Sequence, residues 1–489
     1  MARCKLSRPR YSYLTITVGA AVQFGGYTVW EWLVLAEHEM LLFAAVFFLI
    51  GAIDEFAVDL IWLWGRLTGR LCTPHLFDEQ LTQAPLAGKA AVFIPAWREE
   101  AVIGATIRHA LEAWSQEDMR LYVGCYRNDP LTVSAAIAAA QGDPRLRVVI
   151  HDRDGPSTKA DCLNRLHSAL QADEKRSGCA ARMVVLHDAE DMVDPAALGL
   201  MDRSLDEAEF VQIPVRPEPQ MHSRWVAGHY ADEFAEAHGK VMVVRDHLGV
   251  GLPSAGVGCA VARPILARLA AQHDDGLPFA QDSLTEDYEL GLGVSEMGGR
   301  ARFLRVRGAD GRLIATRACF PSRLDLAVRQ KTRWVHGIAL QGWDRMGWGH
   351  KPAEIWMRLR DRRGPLTALV LAIAYGLLAL AALSAIARSF GVSPSYQLDP
   401  GIKLILAVNF ASFLWRGVWR FAFTAREYGM IEGARAVLRI PVSNIIAIMA
   451  GRRALVAYAR TLSGQLPRWD KTDHRDHPVL MRQQRERTA

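Results

Sequence analysis

Val184-Val185-Leu186-His187-Asp188-Ala189-Glu190-Asp191 is the stretch from which the rest of the chain is read. Its three aliphatic residues predict the end of a buried strand, and three carboxylates follow within four positions. At the C-terminal edge of a parallel sheet, where open α/β folds bind ligands, such a cluster suits a divalent cation. Mg2+ and Mn2+ prefer hard oxygen ligands, and a nucleotide diphosphate can complete their shell. The competing reading is an acidic turn ahead of a helix that starts near Asp194-Pro195.

Outward from this stretch, residues 88–335 alternate short aliphatic runs with helix-length segments. The runs are Ala90–Ile94, Leu121–Gly124, Val148–Ile150, Met183–Leu186 and Phe210–Ile213. Segments such as Glu99–Ser115 and Lys159–Leu170 lie between them. That alternation predicts an α/β domain built on a mostly parallel sheet.

Further out, the chain becomes apolar at both ends. Residues 1–10 carry Arg3, Lys5, Arg8 and Arg10 and no acid. Two apolar segments follow, 14–36 and 40–58, separated by Glu37-His38-Glu39. No small-residue cleavage site stands out after the first, and a second apolar run follows at once, so a signal peptide is disfavoured. An Asp at the bilayer centre costs roughly 2.5 to 3.5 kcal/mol. Asp54, Glu55 and Asp59 are therefore expected at headgroup level, with Ile61–Trp64 as an interfacial helix. Residues 366–387 hold no charge over 22 positions and predict a membrane span. Residues 401–420 predict another, closed by Trp415, Arg416, Trp419 and Arg420 as interfacial anchors. Ile440–Gly451 is short for a span and is expected to be re-entrant or to lie on the surface. The expected division is a membrane segment at 1–65, an α/β domain at 66–350, a second membrane region at 351–459 and a polar basic tail at 460–489.

Composition agrees. The 489 residues are 50% hydrophobic with a net charge of +6, and the excess Lys and Arg sit at the two ends rather than in one dense stripe. No nucleic-acid partner is expected from that pattern. Lys and Arg beside apolar runs predict a multi-pass membrane protein with both ends and the α/β domain on the cytoplasmic side. The seven cysteines are isolated, with no C-x-x-C pair, which argues against a zinc site or a disulfide framework.

Several short motifs punctuate the α/β domain. Ile94-Pro95-Ala96-Trp97-Arg98-Glu99-Glu100 ends the first strand and Cys125-Tyr126-Arg127-Asn128-Asp129-Pro130 the second. Thr158-Lys159-Ala160-Asp161-Cys162-Leu163-Asn164 follows the third. Later come Pro253-Ser254-Ala255-Gly256-Val257-Gly258, Leu284-Thr285-Glu286-Asp287-Tyr288 and Gln330-Lys331-Thr332-Arg333-Trp334. Gln330, Arg333 and Trp334 are spaced for one helical face. An amide, a guanidinium and an indole side by side suit a diphosphate and a sugar ring. Blander readings stand beside these. Glu99 and Glu100 could simply open a helix. Asp129-Pro130 is a common turn pair, Lys159 could be a solvated helix residue, and Thr285 could be a helix cap. The last motif could be a surface helix with Trp334 facing lipid.

Taken in order, with the late Trp469-Asp470-Lys471-Thr472-Asp473-His474, these motifs resemble family 2 glycosyltransferases of the GT-A fold. Within that family they look most like the bacterial inner-membrane enzymes of phage-adsorption type, from about residue 40 to about residue 477. The resemblance implies an inverting transfer from a nucleotide sugar, UDP-linked, to a surface polysaccharide or glycan. It implies Mg2+ or Mn2+ at Asp188 and Glu190, the latter in place of the usual second Asp, with Asp191 as the alternative ligand. It implies Asp287 as general base. Glu99 and Asp129 would meet the nucleoside, Lys159 the nucleotide side, and Gln330, Arg333 and Trp334 the diphosphate and acceptor. The Gly256–Cys259 loop would be a weaker acceptor-side candidate. An outer-membrane export partner is a further expectation, and a soluble region sensing a cyclic dinucleotide is not expected before Ala489. Two rival readings remain: a polyprenyl-phosphate sugar transferase with a lipid acceptor, and a non-catalytic membrane scaffold.

Overall fold

The computed structural model describes residues 23–24, 27–76, 79–389, 398–464 and 476–481. The first long element is helix α1, Val29–Leu67. A seven-stranded sheet follows, built from β1 Ala90–Pro95, β2 Met119–Tyr126, β3 Leu146–His151, β4 Met183–Leu186, β5 Phe210–Gln212, β7 Cys259–Ala262 and β8 Ala301–Phe303. Its order is β8-β5-β7-β4-β1-β2-β3, with β7 antiparallel to both neighbours and every other pairing parallel. Two further strands, β6 Val215–Pro217 and β9 Thr316–Ala318, pair in parallel beside it.

The strands are apolar on both faces because both are covered. Val92 and Ile94 of β1 pack with Ile103 and Ile107 of α2 (Ile103–Ala113) and with Ala136 and Ala139 of α3 (Pro130–Ala140). Ala91 and Phe93 point the other way, against Leu163 and Leu166 of α4 (Lys159–Ser177). The result is a three-layer α/β/α domain of GT-A type with a mostly parallel sheet, as the alternation of runs predicts. Register then sets the working edge. Phe93 pairs with Leu186, and the His187 amide donates to Phe93 O at 3.0 Å, so the carboxylate stretch leaves the sheet beside the end of β1.

Later helices complete the chain: α5 Val226–Glu236, α6 Glu286–Glu296, α7 Leu324–Trp334, α8 Pro352–Arg362, α9 Gly364–Ser389, α10 Pro400–Tyr428 and α11 Ile440–Leu462. Among the described residues, four stretches are long and apolar enough to cross a membrane: Val34–Leu67, Gly364–Ile386, Pro400–Tyr428 and Ile440–Leu462. The α/β domain sits directly on these helices. Tyr230 of α5, Val328 of α7 and Ile446 of α11 share one buried cluster.

Two membrane expectations are corrected. Glu37-His38-Glu39 separates nothing, because α1 runs unbroken from Val29 to Leu67 and includes the segment expected as a separate interfacial helix at Ile61–Trp64. Those three residues tolerate a helix, and no Gly or Pro interrupts them. Of the expected span at 14–36, only the last part, from Val29, is helix α1, and most of the rest lies outside the described residues. Ile440–Gly451 is likewise not a short helix, since α11 continues for 23 residues to Leu462. Gly451 is a packing device rather than a stop. A Cβ there would lie 2.4 Å from Ala368 Cβ on α9, so glycine lets the two helices touch. The basic flank 1–10, residues 390–397 and the Trp469–His474 motif lie outside the described residues.

Candidate active site

The stretch after β4 folds into a tight turn stabilised by its own last carboxylate. Asp191 Oδ2 accepts from His187 Nδ1 and from the Asp188 amide, both at 2.9 Å, and both side chains of the Asp191–His187 pair are buried. That commitment points Asp188 and Glu190 into an open cleft of about 770 Å³ at the sheet edge. Across the cleft, Lys159 Nζ meets Asp188 Oδ1 at 2.5 Å. Lys159 opens α4, whose N-cap Thr158 accepts from the Asp161 amide at 3.1 Å. Burial opposes the lysine's charge, but Asp188, Glu286 and Asp287 outweigh it and hold the ammonium well above its usual range.

The second wall is the start of α6. Glu286 and Asp287 both line the cleft, and the buried Glu286 Oε1 has no hydrogen-bond partner. Burial first, and then Asp287 beside it, pushes Glu286 up to about 7, against the pull of Lys159 and Arg333. Burial also raises Asp287, opposed chiefly by Lys159. Two neighbouring carboxylates of this kind titrate as a pair and share a proton near neutrality. Asp287 Oδ1 accepts from the Tyr288 amide at 2.7 Å, while Oδ2 faces Gly256. A Cβ at Gly256 would come within 2.3 Å of that oxygen, and the backbone there has φ +75°, so only glycine leaves Oδ2 open to the cleft. The loop is pinned by Gln212, whose Nε2 donates to Val257 O at 2.8 Å and whose Oε1 accepts from the Ala255 amide at 2.9 Å.

The third wall is α7. Gln330, Arg333 and Trp334 all line the same cleft. Gln330 Oε1 is buried without a partner, and Arg333 acts electrostatically on Glu286 and Asp287. Trp334 does not face lipid. It stands among Tyr230, Phe234 and Phe320, with ring centroids 6.1 to 6.5 Å away, and Lys331 Nζ lies 5.0 Å from its ring. After Trp334 the helix widens into a π-turn, Val335–Gln341, which brings Gly337 against Thr285. Thr285 makes no side-chain cap bond, so the capping alternative for it fails.

Glu99 and Asp129 form a separate group at the adjoining ends of β1 and β2. Asp129 caps α3 and takes the Arg98 amide at 2.6 Å, and the Glu99 amide donates to Thr132 Oγ1 at 2.9 Å. Both carboxylates are buried, and neither lines the cleft. The structure thus gathers Lys159, Asp188, Glu190, Asp287, Gln330, Arg333 and Trp334, and sets Glu99 and Asp129 one and two strands away. Sequence reading gave no site role to Glu286 or to Gln212. Glu286 carries a signal in its place beside Asp287; a lone Gln at a strand end carries none.

The donor set fits a divalent cation in part. Asp188 and Glu190 offer hard oxygens to one cleft, but no group of three or more His, Cys, Asp or Glu suited to a metal occurs among the described residues. A cation here would need its remaining ligands from a bound diphosphate and water.

Residues 87–337 match the family model described as glycosyltransferase like family 2. Bacteriophage adsorption protein B of Escherichia coli K12 is 32% identical over 461 residues, which cover 89% of this chain and 62% of that protein. Bacteriophage N4 adsorption protein B of E. coli O157:H7 gives the same figures. The chain therefore spans less than two thirds of the length of these relatives. Among solved structures, a mannosyltransferase from Pyrobaculum calidifontis in complex with GDP-Man and Mn2+ is 18% identical, with TM-score 0.49, covering 81% of this chain and 99% of that one. Glucosyl-3-phosphoglycerate synthase from Mycobacterium tuberculosis is 19% identical, with TM-score 0.35, covering 57% of this chain and 88% of that one. With a family model spanning more than half of its length, and spanning the sheet and all three walls of the cleft, the chain belongs to glycosyltransferase family 2.

Proposed function

We propose that this glycosyltransferase moves a hexosyl or N-acetylhexosaminyl group from a nucleotide-sugar donor, UDP-linked, onto a growing surface polysaccharide or glycan. The reading extends to inversion at the anomeric carbon and to residues 66–350 as the catalytic part. One observation supports it above the others: a single cleft holds a carboxylate pair, Glu286 and Asp287, facing two cations, Lys159 and Arg333.

In this reading Asp287 Oδ2 takes the proton of the acceptor hydroxyl as that oxygen attacks the anomeric carbon. General-base catalysis needs the carboxylate within about 3 Å of the hydroxyl, and Gly256 keeps that oxygen open. Lys159 and Arg333 face the leaving diphosphate, where negative charge grows and fixed cations lower the barrier. Trp334 offers its ring to the sugar, and Gln330 offers its unpaired amide oxygen. Glu99 and Asp129, at the ends of β1 and β2, take the nucleoside. Asp188 and Glu190 would hold Mg2+ or Mn2+, which when bound neutralises diphosphate charge. The cleft opens on the cytoplasmic side of a bacterial inner membrane, where nucleotide sugars are made, and the product leaves toward an outer-membrane export partner.

The test is a panel of nucleotide sugars given to detergent-purified protein, with released nucleoside diphosphate as readout. One donor is expected to be consumed, with loss of turnover in excess EDTA and an inverted anomer in the product. Turnover of no donor, a retained anomer, or full activity in EDTA would each break part of the reading.

A further inference from the structure

A second concentration of charge lies away from the cleft, where α1 and α10 meet the catalytic domain. Its centre is a narrow cavity lined by Trp62, Arg66, Arg305, Phe423 and Arg426. Trp62 stands edge-on to Trp419 and Phe423, with centroids 5.3 and 5.4 Å away, and its indole N–H donates to Gly239 O at 3.0 Å. Tryptophans gather at the level of lipid headgroups, and α1 and α10 are both long and apolar enough to cross a membrane.

The charge there is not balanced. Arg305 Nη2 and Arg307 Nη2 end on the same oxygen, Glu427 Oε1, at 2.7 and 2.5 Å. Arg66 Nη1 donates to Leu71 O at 2.8 Å, and the Arg426 side chain is exposed at the cavity rim. Among the described residues, Glu427 is the one carboxylate in ion-pair contact with these four guanidiniums. Arg305 shows the deficit most clearly. Its side chain is 6% exposed, Nη1 reaches Thr73 Oγ1 at 3.0 Å, and the buried Nε has no partner. Burial, with Arg307 and Arg426 adding to it against the pull of Glu427, pushes the group down to about 10. A guanidinium does not give up its proton at neutral pH, so what it lacks is an anion.

Shape narrows the choice of anion. The cavity admits a water-sized group, so one phosphate oxygen can enter beside the Arg305 side chain while the other oxygens stay outside, beside Arg66 and Arg426. On the same end of α1, Trp64 and Leu67 are 64% and 82% exposed, an apolar bed for the glycerol and acyl chains. We propose that this arginine cluster binds the phosphate of an anionic membrane lipid in the leaflet that faces the catalytic domain.

Native mass spectrometry of the full chain tests this after exchange into mixed micelles of dioleoylphosphatidylglycerol or dioleoylphosphatidylcholine. The wild type is expected to retain the phosphatidylglycerol and to release the phosphatidylcholine. Arg305→Gln and Arg426→Gln should each weaken retention by roughly tenfold, the usual scale for losing a charge-assisted contact. Arg176→Gln, an exposed arginine on α4, should change nothing. Should Arg305→Gln fail to fold, Arg426→Gln decides alone, because its side chain is exposed. Equal retention of the two lipids, retention unchanged in Arg426→Gln, or displacement of the lipid by millimolar inorganic phosphate would each overturn the proposal.

Discussion

The joint between membrane helices and catalytic domain, and the cleft at the sheet edge, both bury acids beside bases. At the joint three acids of α1, Asp54, Glu55 and Asp59, are each matched. Asp54 meets Arg360, Arg363 and the Trp356 indole; Glu55 meets Arg360, Arg363 and Arg416; Asp59 meets Lys240 at 2.5 Å and the Trp415 indole at 2.8 Å. In the cleft, Glu286 Oε1, Gln330 Oε1 and Thr285 Oγ1 are buried without partners, and two adjacent carboxylates compete for one proton. Carboxylates that are each paired with bases fix one arrangement, whereas unmet hydrogen-bonding capacity on perturbed carboxylates marks a site built for a ligand.

Breaking the joint should have the largest effect. Lys240 and Asp59 are wholly buried, and removing one partner of such a pair costs about 3–5 kcal/mol, a large part of a domain's stability. Asp59→Asn should therefore lower the yield and melting temperature of folded protein in detergent, with turnover lost only in proportion. The opposite pattern is expected in the cleft. Asp188→Ala should keep the wild-type melting temperature while donor turnover falls by on the order of 10²–10³-fold. A destabilised Asp188→Ala with normal specific activity would erase the contrast.

The shared proton gives a subtler test. A general base works ionised, and burial has raised the Glu286–Asp287 pair, Glu286 to about 7. As pH falls through that region the pair takes up its proton and kcat/KM should fall. Glu286→Gln removes the neighbouring negative charge, so Asp287 ionises more easily and the acid limb should move to lower pH. An unmoved limb would mean that the pair is not what titrates. The smallest effect concerns side-chain length at Glu190, the second of the two carboxylates proposed to hold the cation. Glu190→Asp should retain more turnover than Glu190→Ala, because it keeps a carboxylate in the cleft.

Much of this was legible in the sequence, for particular reasons. Val184–Leu186 reads as a strand because both faces of β4 are buried, and the acids after it had to fall at the strand end. The triple Gln330, Arg333 and Trp334 is legible because helical spacing alone sets it on one face. The continuity of α1 was hidden because Glu37-His38-Glu39 resembles a loop in composition, although each residue is compatible with a helix. The length of α11 was hidden because Arg452 and Arg453 end the apolar run, although the helix carries them on to Leu462. Gln212 was invisible, since its role depends on a loop more than forty positions later. The arginine cluster around Arg305 draws on residues from three distant parts of the chain, and no local pattern announces it.

The central claim is that Asp287 is the base of the transfer, and it is tested most directly by one substitution read two ways. Asp287→Asn keeps the shape of the side chain and removes its capacity to hold a proton. Sugar transfer should fall by on the order of 10²–10⁴-fold, while binding of the nucleoside diphosphate, measured by calorimetry on the same preparation, stays within about twofold of wild type, since the lost contact is to the acceptor. Transfer at the wild-type rate by Asp287→Asn would contradict the account.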